Sequence, residues 1–166
     1  DNIYRVLSVN SNVKGAEKMP VTFSGFGPSV KKDMPEVVDY CRASVRNERL
    51  QLGNYKEGIA FKAIKAETSI FRMFDFNILQ GNPQKFVKGY TNLVISKKIS
   101  DQYFPGQNPL GKVVYNLPEY GKPGQYIITG VVESIPQNTH LRADIITLNE
   151  YAASENTLPV SNYFTF

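Results

Sequence analysis

The stretch LVISKKISDQYFPGQNPLGKVV, residues 93–114, contains the local signals that decide how this chain folds. The apolar run at 92–96 predicts a short buried strand. Ile99 and Tyr103 follow at the i, i+4 spacing of one helix face, and Ser96 is a residue type that caps helix N-termini. The pattern therefore predicts a strand, a helix, a turn and a second strand, in that order.

The turn, GQNPLGKV at 106–113, is one letter short of a phosphate-binding loop. It has Gly106, Gly111 and Lys112 at the right spacing, but Val113 stands where a magnesium-binding Ser or Thr is needed. A phosphate loop also follows a strand and leads into a helix whose free N–H groups bind the phosphate. Here a predicted helix precedes the loop and a predicted strand follows it, so we interpret the segment as a structural turn and predict no nucleotide site.

Other motifs and reactive residues predict no enzyme either. GFGPS at 25–29 lacks the third glycine of a dinucleotide fingerprint. His140 is the only histidine and Cys41 the only cysteine, which excludes a His cluster, a multi-Cys zinc site and an intramolecular disulfide. We interpret His140 as a loop residue rather than a general base, and Cys41 as a small core residue rather than a nucleophile. No cofactor, metal or catalytic residue is predicted.

Dispersed carboxylates and clustered aromatics are the remaining candidates for chemistry. The acidic side chains are too far apart in sequence to nominate a catalytic pair; they are Glu36, Asp75, Glu133 and Asp144. The aromatic side chains suit a core, with a ligand-lining role as the alternative. They are Phe61, Phe71, Phe74 and Phe76.

Composition limits the class of protein. The 166 residues, 42% of them hydrophobic, suit one globular domain or one domain with an insertion. The 19 Lys and Arg against 15 Asp and Glu give a net charge of +4, but the charges are scattered and form no basic stripe, so nucleic-acid binding is not expected. No apolar run approaches the length of a membrane span. The strand-like start at Asp1 favours a further segment upstream.

The rest of the chain reads as mixed and rich in strands. Residues 3–9 alternate like a half-buried strand, and 23–34 resemble a short helix that Ser24 or Ser29 could cap. Residues 37–67 predict two or three strands, 68–81 a buried loop or short helix, and 125–135 another strand. There is no repeat and no long linker.

Five segments in a fixed order resemble the periplasmic core domain of MacB- and FtsX-like ABC transporter permeases, especially the variants of Bacteroides-type bacteria. They are DNIYRV (1–6), MPEVVDYCRA (34–43), FRMFDFNILQGNP (71–83), the opening stretch (93–114) and YIITGVVESIPQNTHLRADII (126–146). The third is similar to the family pattern F-x-x-F-x-F-x-x-x-x-G-[ND]-P. Two departures, a Pro before the turn and Ile-Ser in place of a small helix residue, leave the turn chemistry intact.

The resemblance implies an α+β fold in two parts. A porter-like subdomain would comprise residues 1–48 and a returning strand at 158–166, and a strand-rich, Sabre-like subdomain would be inserted at 49–157. It also implies that the first strand (3–9) and the closing strand (161–166) share one small sheet, so that the chain ends meet.

The function implied is that of an extracytoplasmic, non-catalytic domain of an inner-membrane ABC permease, located in the periplasm. Such a domain would couple cytoplasmic ATP hydrolysis to movement, with membrane helices of the same permease, a cytoplasmic ATPase, a permease dimer and a periplasmic adaptor or substrate as partners. The alternative is a stand-alone periplasmic module that binds a peptide, lipid or sugar in an aromatic-lined cleft. Flanking membrane spans favour the first, and a secretion signal with a stop codon the second.

Overall fold

A computed structural model describes residues 3–9, 18–19, 22–118, 122–135 and 141–148, together with the backbone of 164–165. The chain divides into two compact units: Asp1–Ser44 with Glu150–Phe166, and Val45–Asn149. We describe each unit by itself. The assignment of the units to porter-like and Sabre-like subdomains stays a proposal.

The first unit contains a two-stranded sheet and one helix among its described residues. Strands β1 (Ser8–Val9) and β2 (Lys18–Met19) pair antiparallel. Helix α1 (Phe26–Asp33) has basic residues in its last turn, which suits the negative end of the helix dipole. Strand β10 (Phe164–Thr165) pairs antiparallel with the start of β3 (Arg42–Gln51), a strand that continues into the second unit.

Because glycine has no side chain, Gly27 lets α1 pack closely against the ring of Tyr40 within this unit. A Cβ on Gly27 would lie 2.4 Å from the ring of Tyr40, so only glycine fits at this point of the helix. The guanidinium of Arg42 lies over the same ring, 5.7 Å from its centroid, and Nη1 donates to the carbonyl of Ser24 at 2.7 Å. Tyr40 is therefore held between the helix and the start of β3.

The second unit contains most of the regular structure. Its elements in chain order are the rest of β3, β4 (Ile59–Ala66), α2 (Ile70–Met73), β5 (Ile78–Gly81), β6 (Thr91–Ser96), α3 (Lys97–Tyr103), β7 (Val113–Asn116), β8 (Gly124–Val132) and β9 (Ile145–Leu148).

Six strands of the described residues form a closed ring, in the order β3, β4, β9, β6, β8, β7 and back to β3. Pairing is mixed: β4 with β9 and β6 with β8 are parallel, whereas β6 with β9, β7 with β8 and β3 with β7 are antiparallel. Strand β5 lies outside the ring and pairs with the second half of β8. The result is a small barrel with one extra strand on its wall.

Side chains on the inward face of each strand fill the barrel, and they alternate with outward-facing side chains. On β4, Phe61 and Ala63 are buried while Ala60 and Lys62 are exposed, as the two-residue period of a strand requires. Helix α3 contributes Ile99 to the same core, and Phe104 at the C-cap of the helix contributes another buried side chain. The core comprises Leu50, Leu52, Phe61, Ala63, Leu93, Ile95, Ile99, Phe104, Val114, Tyr126, Ile128, Val131 and Ile145.

Most element predictions are confirmed, and four are wrong in detail. Part of the segment 68–81, expected as a buried loop or short helix, is the exposed strand β5 at Ile78–Gly81. The strand over 3–9 is reduced to Ser8–Val9, and α1 has Gly25 at its N-cap with no side-chain cap bond, so neither Ser24 nor Ser29 caps it. Because β1 pairs with β2 while β10 pairs with β3 in another sheet, the prediction that the first and last strands share one sheet is also wrong. Asp1 and Phe166 themselves lie outside the described residues.

Candidate functional site

Three of the sequence motifs meet at one point on β8, the backbone of residues 128–130, which we call the β8 junction. Gly111 N–H donates to the carbonyl of Ile128 at 2.8 Å, and Asn82 N–H donates to the carbonyl of Thr129 at 3.0 Å. Pro83 packs over Gly130, where an added Cβ would lie 3.2 Å from the proline ring. Three of the five segments that carry the family resemblance therefore form one interlocked structural unit.

The GQNPLGKV loop lies between α3 and β7, as predicted. Ser96 caps α3 by accepting from Ile99 N–H at 3.4 Å, and Gly106 and Gly111 adopt φ values of 67° and 76°. Between them Asn108 makes an Asx turn, its Oδ1 accepting from the N–H of residue 110 at 3.0 Å. Both glycine φ values lie in the left-handed region, as the interpretation of the segment as a turn allows.

Lys112, which would hold phosphate in a nucleotide loop, has another environment here. Its ammonium lies 5.9 Å from the centroid of the Phe104 ring, a cation–π distance. Its carbonyl accepts from Ile128 N–H at 3.1 Å, which ties the loop to β8. The chemistry of Lys112 is thus that of a structural connector.

The QGNP turn enters the junction from the other side. Gly81 has φ +82°, and an added Cβ would lie 2.3 Å from the carbonyl oxygen of Thr129 and 2.8 Å from Leu110. Any other residue would meet both a strained backbone and a steric clash. This glycine is required by the close approach of β5 to β8.

Asn92 fixes the loop that follows the turn, although sequence analysis did not single it out. It is fully buried, and its Nδ2 donates to the carbonyls of Lys85 at 2.8 Å and Pro83 at 3.3 Å. Its Oδ1 accepts from Val87 N–H at 3.3 Å. A polar residue at the start of the apolar run 92–96 was the only signal that could have revealed it.

A second cluster of polar side chains bridges three strands of the barrel. Asn116 on β7 donates through Nδ2 to Glu48 Oε2 on β3 at 2.6 Å and to the Tyr126 hydroxyl on β8 at 2.9 Å. The Tyr126 hydroxyl donates to the same Glu48 oxygen at 3.3 Å. Burial, with the nearby charge of Glu48 as the second cause, raises the pKa of Tyr126 from 10.0 to about 12.

One atom of this cluster has no partner among the described residues. Asn116 Oδ1 is buried and accepts no hydrogen bond from them, although Nδ2 of the same amide donates to Glu48 and Tyr126. A buried acceptor without a donor is unfavourable. We found no sequence signal for Glu48 or Asn116, because isolated polar residues near strand ends are common.

An open cleft of about 740 Å³ lies beside this cluster. Its walls carry both charges and short apolar side chains, and come from β3, β4 and the end of β7. The lining residues are Asn47, Glu48, Arg49, Ala60, Asn116, Leu117 and Pro118.

The reactive residues considered from the sequence do not form a site among the described residues. Cys41 is fully buried, as the core interpretation predicts. Glu133 accepts from Asn77 Nδ2 at 2.9 Å, and Asp144 accepts from the backbone N–H of Lys62 at 2.9 Å, so both have structural partners. Glu36 and Asp75 are exposed. His140 lies outside the described residues, so its loop role stays a prediction.

The four aromatic residues separate into two groups. Phe61 belongs to the barrel core and packs edge-on against Tyr103, with ring centroids 6.0 Å apart. Phe71, Phe74 and Phe76 are only half-buried, and the rings of Phe71 and Phe76 lie 5.2 Å apart. None of the four lines the cleft.

The described residues contain neither a candidate metal site nor a candidate membrane-spanning helix. No group of three or more His, Cys, Asp or Glu within the described ranges could hold a metal ion. No helix among the same residues is long and apolar enough to cross a membrane.

The fold is that of the extracytoplasmic domains of MacB-like ABC-type transporter permeases. No family model matches this sequence, and no curated protein sequence matches it. The assignment of the fold therefore comes from solved structures, and at this level the family resemblance stated from the sequence motifs is confirmed.

Three solved structures illustrate the likeness. A domain assigned to a permease protein of Porphyromonas gingivalis superimposes with a TM-score of 0.71 at 20% identity, over 96% of this chain and 68% of that one. The extracellular domain of the noncanonic ABC-type transporter YknZ from Gram-positive bacteria gives 0.56 at 17% identity, over 87% and 71%. The periplasmic region of MacB from Actinobacillus actinomycetemcomitans gives 0.57 at 14% identity, over 87% and 64%. This chain thus spans about two thirds of each.

Proposed function

We propose that this chain is the extracytoplasmic, non-catalytic domain of an ABC transporter permease, located in the periplasm of a cell with two membranes. The observation that carries the proposal is the match of nearly the whole chain, 96% of it, to a permease domain. The interlocked motifs of the β8 junction support it, because the residues that resemble the family are those that build the fold.

The absence of an enzymatic role is part of the same proposal. Among the described residues, Glu133 and Asp144 accept hydrogen bonds from an amide and a backbone N–H, and the ammonium of Lys112 lies against an aromatic ring. A catalytic centre needs a nucleophile, a base and an orienting group within hydrogen-bond reach of one another. The contacts described above contain no such arrangement.

Mechanical coupling is the function we assign to the domain. Strand β3 runs from the first unit into the second without interruption, over Arg42–Gln51. A strand shared by two compact units can carry a displacement of one into the other. In the full permease, membrane helices of the same protein, a cytoplasmic ATPase and a second permease copy would supply that displacement, and a periplasmic adaptor or substrate would receive it.

Topology in the cell provides the test. In the full-length permease, a cysteine at exposed position 107, in the variant Gln107→Cys, should react with a membrane-impermeant maleimide in cells whose outer membrane alone is permeabilised. The protein without that substitution is the matched control, because its Cys41 is fully buried. Labelling of Gln107→Cys only after the inner membrane is lysed would contradict the proposal.

The alternative, a stand-alone binding module, gains no specific support. It requires an aromatic-lined cleft, and no Phe or Tyr of the described residues lines the cleft described above. The coding sequence on either side of the chain distinguishes the two: flanking membrane spans support the permease, and a secretion signal with a stop codon supports the module.

A further inference from the structure

The antiparallel pairing of β3 with β7 closes the barrel, and it is the shortest pairing of the ring whose register is defined. Only Leu50 with Asn116 and Gln51 with Tyr115 are paired there. By contrast, β7 pairs with β8 along its whole length, Val113–Asn116, and β6 pairs with β8 from Thr91 to Ser96. We call the short pairing the β3–β7 seam.

Side chains supplement this short seam. Glu48 extends from β3 to both Asn116 on β7 and Tyr126 on β8, so the carboxylate joins the two sides of the seam and the next strand as well. The backbone adds one bond just beyond the paired residues, from Leu117 N–H to the carbonyl of Arg49 at 2.7 Å. Removal of the carboxylate would leave the seam with backbone bonds only.

The closed seam is also imperfectly satisfied. Asn116 Oδ1 is buried there with no donor in the part of the chain that the structure describes, and a parting of the two strands would expose it to water. The closed state thus gains the Glu48 contacts and loses the hydration of one acceptor. Because these contributions oppose each other, the free-energy difference between the closed and the open seam is smaller than it would be if every polar atom of the closed seam had a hydrogen-bond partner.

The cleft lies at the same place. Asn47, Glu48 and Arg49 form one wall from β3, and Asn116, Leu117 and Pro118 form the other from the end of β7. Solvent therefore already reaches the outer edge of the seam, which is where strand separation would begin.

We propose that the β3–β7 seam is the line along which the barrel opens, and that Glu48, Asn116 and Tyr126 form the latch that holds it closed. The inference concerns this domain alone and does not depend on the transporter assignment. In a protein that transmits movement, opening of the seam would allow β3 to move away from β7 while the contacts of the β8 junction stay intact.

Amide hydrogen exchange of the ¹⁵N-labelled chain tests the proposal. The Leu117 N–H reports on the seam, and the Gly111 N–H, bonded to Ile128, reports on the β8 junction. In Glu48→Ala we expect Leu117 to exchange about 10-fold faster while Gly111 changes less than about 2-fold, as local opening requires. Glu48→Gln, which keeps an acceptor for Asn116 and Tyr126, should recover most of the protection.

A pair of disulfides provides a second measurement that does not depend on Glu48. In a Cys41→Ala background, Gln51→Cys with Tyr115→Cys joins residues directly opposite each other across the seam. Tyr115→Cys with Gln125→Cys joins opposite residues of β7 and β8 and is the matched control. Oxidation of the first pair should slow Leu117 exchange at least about 10-fold, and oxidation of the second should leave it within about 2-fold.

Two results would overturn the latch. One is equal acceleration of Leu117 and Gly111 in Glu48→Ala, which would mean that the whole barrel unfolds together. The other is Leu117 exchange that neither Glu48→Ala nor the seam disulfide alters.

Discussion

The β8 junction and the β3–β7 seam are both places where strands of the same barrel meet, but they are held in different ways. At the junction, backbone hydrogen bonds from Gly111 and Asn82 and close contacts at Gly81 and Gly130 hold the two turns against the backbone of β8. At the seam, two residue pairs and one network of side chains close the ring. The comparison indicates that local backbone requirements build the rigid part of the domain, while long-range polar contacts hold the part that can move.

The largest effect is expected at Gly81, the tightest point of the junction. Gly81→Ala should lower the free energy of unfolding by about 3–5 kcal/mol, because the residue has φ +82° and its new Cβ would lie 2.3 Å from the Thr129 carbonyl. Gly89→Ala is the matched control, with φ +87° and open space around it, and should cost about 1 kcal/mol. Urea unfolding of both variants measures the difference. Equal losses would mean that the close approach at Gly81 is not what stabilises the junction.

Asn92 should come next. Asn92→Ala removes a fully buried amide that makes three hydrogen bonds to the loop of residues 83–87, and should cost about 2–3 kcal/mol. Asn108→Ala removes one exposed turn bond and should cost less than about 1 kcal/mol. Thermal unfolding compares the two, and a loss at Asn108 as large as that at Asn92 would contradict this ranking.

A substitution at Gly111 tests backbone strain without a steric clash. Gly111→Val should cost about 1–3 kcal/mol because φ is +76°, although no atom lies within 4 Å of an added Cβ. The expected loss is therefore smaller than at Gly81, where strain and clash combine. An unchanged melting temperature would show that Gly111 is an ordinary loop residue.

The smallest effect belongs to the seam and depends on pH. Because the pKa of Tyr126 rises from 10.0 in the unfolded chain to about 12 in the folded one, the folded state favours the neutral phenol. Its contribution is complete below about pH 10 and is lost as the pH rises toward about 12. The stability difference between the unsubstituted protein and Tyr126→Phe should therefore shrink by about 1 kcal/mol between about pH 9 and about pH 11.5, after allowance for solvent screening at the open cleft.

Urea unfolding at both pH values measures this change. A stability difference that stays constant, or that grows with pH, would contradict the assigned protonation of Tyr126.

The sequence predicted the GQNPLGKV turn far better than the seam, for a physical reason. Ser96, Gly106, Asn108 and Gly111 act through their own backbone or that of a residue two or three positions away, so their residue types identify the turn. Asn116 and Tyr126 lie 68 and 78 positions after Glu48 in the sequence, and they meet it only after the barrel has closed. Nothing in their local sequence marks that meeting.

The same distinction explains the errors at the edges of the chain. Alternation over 3–9 predicted a full strand, but pairing partners decide how much of such a segment becomes sheet, and only Ser8–Val9 pairs. The prediction that the two chain ends share one sheet came from the family resemblance and not from the residues themselves. In the described residues β1 and β10 have different partners.

We predict that cytoplasmic ATP hydrolysis moves the two units of this domain relative to one another. Spin labels at exposed positions 32 and 107, in the variant Lys32→Cys with Gln107→Cys, report on one unit each. In the full-length permease with its ATPase, double electron–electron resonance should give different distance distributions in the nucleotide-free and ATP-bound states. An identical distribution in both states, with ATP binding confirmed in the same sample, would contradict the account.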